Sequence, residues 1–173
     1  MKKQTQKEQI EGMMKRPIPK KKVGIIRLQI VRAGRSLYGM ERFTNPKEAV
    51  EMVQPLFELS DREIMLVVSL DTKMTPLAAE IAAVGGVDIC SVDVRNIFKH
   101  SLLNNATYVI CFHNHPSRDT TPSFDDKRIT KRIAKAGAIL GIPLVDHIIT
   151  GKNEFFSFKE REMPELNYLE GAA

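Results

Sequence analysis

Apolar positions recur along this chain with two periods, two and three-to-four, and the switches between them mark out its elements. Val23–Arg32 reads as a β-rich run, with Ile26, Leu28 and Ile30 alternating against polar neighbours. Asn45-Pro46 starts a helix: Asn suits the N-cap, Pro the first helical position, and Glu48 follows three residues after the cap. Val50, Val53, Leu56 and Phe57 form its apolar stripe. Ile64–Leu70 is nearly continuous apolar sequence, a buried-strand candidate ended by the turn-like Asp71-Thr72-Lys73. Leu77–Val84 returns as its antiparallel partner before Gly85-Gly86. Ser91 or Asp93 caps a second helix, with Val94, Ile97, Phe98 and Leu102 on one face. Thr107–Phe112 is a further strand that leads into His113. Ser123 opens a third helix, which runs to about Leu140 and stops at Gly141 and Pro143. Pro143–Thr150 and Glu154–Phe158 close the domain as strands joined at Gly151-Lys152-Asn153. Helices inserted between strands of one mixed sheet predict an α/β fold.

Composition narrows the class. A chain of 173 residues with 43% hydrophobic and 27% charged positions has the make-up of a globular protein with one main core. No stretch approaches the ~18 apolar residues that span a bilayer, and residues 1–10 lack a signal-peptide core. Cys90 and Cys111 sit apart in apolar sequence, as buried thiols of a reducing compartment do. These features predict a cytoplasmic protein without a membrane anchor. The net charge of +5 is local: residues 1–22 carry +6 and the remainder −1. Pro17-Ile18-Pro19 and Lys20–Lys22 read as a linker. The chain thus divides into a basic leader at 1–22, a β-rich extension at 23–45, a main domain at 46–162 and a tail at 163–173. A cationic leader can attract nucleic acid by counterion release, although a solvated leader is the plainer reading.

The chemistry concentrates at His113-Asn114-His115-Pro116 and Ser123-Phe124-Asp125-Asp126. Strand alternation points the side chains of His113 and His115 to one face, where two imidazoles can share one ion. Ser123-x-x-Asp126 is a capping pattern, and an acid in the first helical turn is also held rigidly enough to be a ligand; the two readings are compatible. Two neutral imidazoles, one carboxylate and an open position form the donor set of a hydrolytic zinc site. Such a site needs a general base outside the ligand set, and spacing alone leaves Glu63, Glu58 and Glu80 open.

His113-x-His115-Pro116-x6-Ser123-x2-Asp126 resembles the JAMM (MPN+) metalloprotease signature. His113-Asn-His-Pro-Ser117, Thr121-Pro122-Ser123 and Asp146-His147-Ile148-Ile149 further resemble its RadC-like branch. The resemblance runs from about Pro46 to Phe158 and takes in Glu63, Leu70-Asp71-Thr72-Lys73 and Arg95-Asn-Ile-Phe98. It implies a mixed β-sheet flanked by helices, like that of cytidine deaminases. It further implies that His113, His115 and Asp126 bind Zn2+, that Ser123 hydrogen-bonds the water or the oxyanion, and that Glu63 is the general acid/base of amide hydrolysis. Two departures stand out. RadC-like chains usually have glycine where Arg118 stands, and they commonly carry an N-terminal helix-hairpin-helix region that residues 1–45 do not resemble.

The expectation is therefore a zinc metallopeptidase or isopeptidase acting on a protein or peptide. A non-catalytic scaffold of the same fold is the first alternative. A nucleic-acid or DNA-repair accessory factor, using residues 1–22 and the stripe of Lys127, Arg128, Lys131, Arg132 and Lys135, is the second and is not favoured. Asp146-His147 reads either as a pair orienting a ligand or as a structural hydrogen bond, and His100 as a surface histidine at a helix end. Cys111 shares the face of His113, but as a fourth ligand it would fill the open position. Specificity would reside in the loops around Thr75, Arg118 and Asn153.

Overall fold

The computed structural model describes residues 42–58, 60–85 and 92–161, with single positions at 11, 12, 15, 26 and 166. Apart from those positions, the leader, the β-rich extension to residue 41 and the tail lie outside the described residues, as do Gly86, Cys90 and Ser91. Helix α1 (Pro46–Phe57) starts as its sequence dictates: Asn45 Oδ1 accepts the Glu48 N–H at 3.0 Å, and the Glu48 carboxylate accepts from Thr44 N and Oγ1. Strands β1 (Ile64–Leu70) and β2 (Pro76–Val84) pair antiparallel. Helix α2 (Val94–Leu103) is capped by Asp93, whose carboxylate accepts the Arg95 N–H. Strand β3 (Tyr108–Asn114), helix α3 (Phe124–Leu140) and strand β4 (Leu144–Thr150) form a β-α-β crossover, and β5 (Phe155–Ser157) closes the edge.

The sheet order is β2-β1-β3-β4-β5, with β3 and β4 parallel and every other pair antiparallel. Both faces are covered, so the central strands are apolar on both sides. Leu66, Val68, Ile110, Phe112 and Ile148 face α1, against Val50, Val53 and Phe57. Met65, Val67, Cys111 and Ile149 face α2 and α3, against Ile97, Phe98 and Ile133. Each such fully buried aliphatic or aromatic side chain contributes roughly 1.5–3 kcal/mol. Gly141 ends α3 in the left-handed region, at φ 69°, which glycine enters without steric cost.

The elements follow the hydrophobic pattern, with four differences. Strand β3 begins and ends later than expected and takes His113 and Asn114 into the sheet. The last strand keeps three residues, Phe155–Ser157. Leu102 was expected on the apolar face of α2 but is 51% exposed. It lies a turn beyond Phe98 and lines an open apolar cleft with Val94 and Phe98 on its own helix and Ile139 and Leu140 on α3. Thr75 sits in the β1–β2 turn, where its N–H meets Asp71 Oδ1. Because Met65 pairs with His113 and Leu70 with Tyr108, that turn is at the sheet end opposite the histidines and has no place in specificity around them. Among the described residues no helix is long and apolar enough to cross a membrane.

Candidate metal centre

The site forms at the carboxyl end of β3, where a parallel crossover brings the mouth of a helix beside the strand end. Alternation along β3 turns Cys111 and His113 to the α2/α3 side and Asn114 to the α1 side. Beyond the strand, a turn closed by the Arg118 N–H on His115 O reverses the chain. It carries Asp119 O to within 2.6 Å of His115 Nδ1. Arg118 makes this turn at φ 66°, in the left-handed region where a side chain is strained and glycine is not. The glycine usual at this position in RadC-like chains meets the same backbone demand. Arg118→Gly is accordingly expected to match the wild type or gain up to about 1 kcal/mol, and Arg118→Val to lose about 1–2 kcal/mol, in urea denaturation.

Ligand atoms converge at the helix mouth. His113 Nε2 and His115 Nε2 lie 3.0 Å apart, His113 Nε2 is 3.1 Å from Asp126 Oδ1, and His115 Nε2 is 3.3 Å from Asp126 Oδ2. Bonds of ~2.0–2.1 Å to a tetrahedral zinc place neighbouring donors about 3.3 Å apart, and these separations are close to that spacing. The capping box is complete as well: Asp126 Oδ2 accepts from Ser123 N at 2.7 Å and Ser123 Oγ at 2.6 Å, while Ser123 Oγ accepts the Asp126 N–H. Capping holds Oδ2, which also faces His115, and leaves Oδ1 directed at His113. Burial opposes a charge on Asp126, but the rings of His113 and His115 beside it outweigh that and hold the carboxyl far below its ordinary range. The neighbouring Asp126 carboxylate in turn raises His115. Among the described residues these three side chains form the cluster able to hold one metal ion.

Glu63 borders the same site. Burial raises its carboxyl, as does the charge of Asp126, while His113 and His115 pull it down. The residue between the histidines, which sequence reasoning passed over, fixes its place. Asn114 Oδ1 accepts the Ile64 N–H at 2.9 Å and Asn114 Nδ2 donates to Arg62 O at 2.9 Å, so one amide brackets Glu63 from both sides. Gly85 N–H donates to Glu63 O at 2.7 Å from the other strand. The competing acids are placed differently. Glu58, exposed after α1, lines the cavity beside His115 but is not among the charges that act on the cluster. Glu80 lies on β2 opposite Val67, and its charge acts on His100.

Behind the ligands, His147 on β4 is fully buried, and its Nε2 lies 2.8 Å from His113 Nδ1. Burial keeps it neutral. Asp146 points away and accepts from His147 N, Lys159 N and Ser157 Oγ, so the structural reading holds for the acid and the orienting one for the histidine. Burial outweighs those donors and pushes the Asp146 carboxyl up to about 6. An unfolded aspartate titrates near 3.9, so between about pH 4 and pH 6 the folded state holds the extra proton and its stability falls as pH rises. Asp146→Asn removes that term. Its stability relative to wild type should rise by about 3 kcal/mol between pH 4 and pH 7 in urea denaturation.

Cys111 is fully buried, with its thiol pushed up by burial, and stands outside the ligand cluster. His100 is not a surface residue of the expected kind: it is half-buried against Ser69 Oγ, and burial lowers its pKa. A cavity of about 380 Å³ opens beside His115 and is lined by Gln54, Phe57, Arg118, Lys152 and Asn153, so two of the three loops expected around the site are there. Gly151 permits their approach, because a Cβ on it would come within 2.9 Å of Thr120 Cγ2 and 3.1 Å of Arg118 O. The basic residues of α3 lie along its outer side opposite Ile133, with Arg128 3.0 Å from Asp125.

Known proteins share this arrangement of sequence. The model of the RadC-like JAB domain matches residues 43–163. A UPF0758 protein of Listeria monocytogenes is 42% identical over 116 residues, which cover 67% of this chain and 52% of the relative. A UPF0758 protein of Thermotoga maritima is 44% identical over 100 residues, covering 58% and 45%. The chain spans about half the length of the curated relatives it matches. With a mixed five-stranded sheet between three helices and a His-His-Asp cluster at the strand end, the chain belongs to the RadC-like JAB domain family.

Proposed function

We propose that this domain is a zinc-dependent metallopeptidase or isopeptidase that hydrolyses an amide bond with water. The observation that carries the reading is the convergence of His113 Nε2, His115 Nε2 and Asp126 Oδ1 beside a carboxylate that is not a ligand. A divalent cation held by three side chains with one position open lowers the pKa of water and polarises a carbonyl. His113, His115 and Asp126 would hold it.

The chain's own residues divide the remaining work. Glu63 takes a proton from the attacking water at its carboxylate and passes it to the leaving nitrogen. Its partial burial favours the first transfer, because a raised carboxyl takes up the proton more readily than an exposed one. Ser123 lies exposed at the mouth of α3, with its hydroxyl on Asp126 Oδ2 in the resting arrangement. Turned towards the substrate, the same proton donates to the developing oxyanion. The cavity beside His115 suits an extended peptide, with the backbone of Gly151 and the side chains of Gln54 and Asn153 at its wall. The test compares zinc-loaded wild type with Glu63→Gln on linear and isopeptide-linked peptides, read by mass spectrometry. Zinc-dependent cleavage lost in the variant supports the reading, and equal cleavage by both removes Glu63 from it.

A further inference from the structure

We propose that Thr130 and His147 act as one positioning unit that sets the tautomer of His113, keeping His113 Nε2 free of a proton and open to a cation. The inference rests on the metal reading above and extends it to two residues that do not reach the ion.

The number of protons available fixes the direction of each bond in this chain. Thr130 stands one helical turn after Asp126, and its hydroxyl donates to the Asp126 carbonyl at 2.6 Å. A hydroxyl has a single proton to give. Towards His147 Nδ1, at 2.5 Å, Thr130 Oγ1 can therefore only accept, and that ring nitrogen must carry the hydrogen. A neutral imidazole protonated on Nδ1 has its lone pair on Nε2. His147 Nε2 thus accepts from His113 Nδ1 at 2.8 Å, and the proton of His113 lies on the side away from the site. With every bond of the chain reversed, the hydrogen would sit on His113 Nε2, where the cation must bind.

Burial makes this polarity binding on all three groups. Thr130, His147 and His113 are each 0% exposed, so no solvent molecule supplies an alternative partner. The His147 ring is stacked on Phe158, with planes 10° apart and centroids at 5.3 Å, which fixes its plane. His115 reaches the same end by a shorter route, since its Nδ1 meets the main-chain Asp119 O directly. Second partners of this kind orient metal-binding histidines and typically change affinity 10–100-fold. Here the partner is itself a histidine, and the fixed reference is a helix carbonyl two bonds away.

Thr130→Val keeps the shape of the side chain and removes the acceptor. The His147 Nδ1 proton is then left without an acceptor, and moving it to Nε2 relieves that by reversing the bond to His113, which drives the proton of His113 into the site. Thr130→Ser restores the hydroxyl. The experiment titrates zinc against a competing chelator into full-length wild type, Thr130→Val and Thr130→Ser, each first checked for folding by circular dichroism. It also records long-range 1H–15N spectra of the histidines in the zinc-loaded protein. The expected result is an affinity about 10–100-fold weaker in Thr130→Val and near wild type in Thr130→Ser. His113 and His147 should both be protonated on Nδ1. Unchanged affinity in folded Thr130→Val, equal losses in both variants, or a His147 proton on Nε2 would overturn the inference while leaving the ligand set intact. Failure of the wild type to bind zinc would instead remove the site reading, and this inference with it.

Discussion

Glu63→Gln is expected to slow amide hydrolysis by about 10²–10⁴-fold with zinc content and fold unchanged. Glutamine occupies nearly the same volume, but it takes up no proton near neutrality. The backbone around position 63 does not depend on the carboxyl. Asn114 holds Arg62 O and Ile64 N, and Gly85 donates to Glu63 O, so the substituted side chain occupies the same place. The carboxyl is half-buried and raised, so the variant also sheds a desolvated charge and should not lose stability. The acidic limb of the wild-type pH–rate profile should lie above the usual carboxylate range for the same reason. Single-turnover cleavage of a responsive peptide, followed with zinc measured in the same sample, separates chemistry from metal loss. Loss of zinc alongside activity would make Glu63 a structural residue.

Asp126→Asn is expected to weaken zinc binding by more than about a hundredfold, because it removes an anionic donor and not merely the orientation of one. The same carboxylate closes the capping box, so stability falls too. That loss should stay within about 1 kcal/mol, since the amide oxygen of asparagine can still accept from Ser123 N. The variant also lowers the affinity of His115 for a proton, because Asp126 is the main cause of its raised value. Less competition from protons slightly offsets the lost ligand at acidic pH and leaves the neutral-pH deficit whole. Chelator competition at pH 7.5, with urea denaturation alongside, reads both effects. Wild-type affinity in this variant would show that the cation, if bound, does not use the helix mouth.

Most of the fold could be read from the chain because its central strands β1, β3 and β4 are buried on both faces. Ile64–Leu70 is apolar except at Ser69, Tyr108–Ile110 is apolar throughout, and Asn45, Asp93 and Ser123 cap the helices they precede. The capping and ligand readings of Ser123-x-x-Asp126 coexist, since the carboxylate that closes the cap through Oδ2 still faces His113 with Oδ1 and His115 with Oδ2. Missed features depend on strand register, which no local period encodes. Asn114 looks like a spacer between two histidines, yet its partners are Arg62 and Ile64, on a strand that reaches it only through long-range pairing. His147 meets His113 because β4 runs parallel to β3 with Cys111 opposite His147, and Thr130 joins them only once α3 has packed on that face. Leu102 failed the opposite way. Its spacing matches the apolar stripe of α2, but spacing does not say how closely a neighbouring helix covers it. The left-handed backbone at Arg118 was foreshadowed by the glycine usual there in the family, a hint of geometry rather than of charge.

The central claim is that His113, His115 and Asp126 hold one ion in an open site. Zinc stoichiometry and X-ray absorption of the purified full-length chain measure this directly. The account predicts one zinc per chain, with two imidazole nitrogens and oxygen donors at about 2.0–2.1 Å. A chain that takes up no zinc at micromolar concentration, or binds it through sulfur, would contradict it.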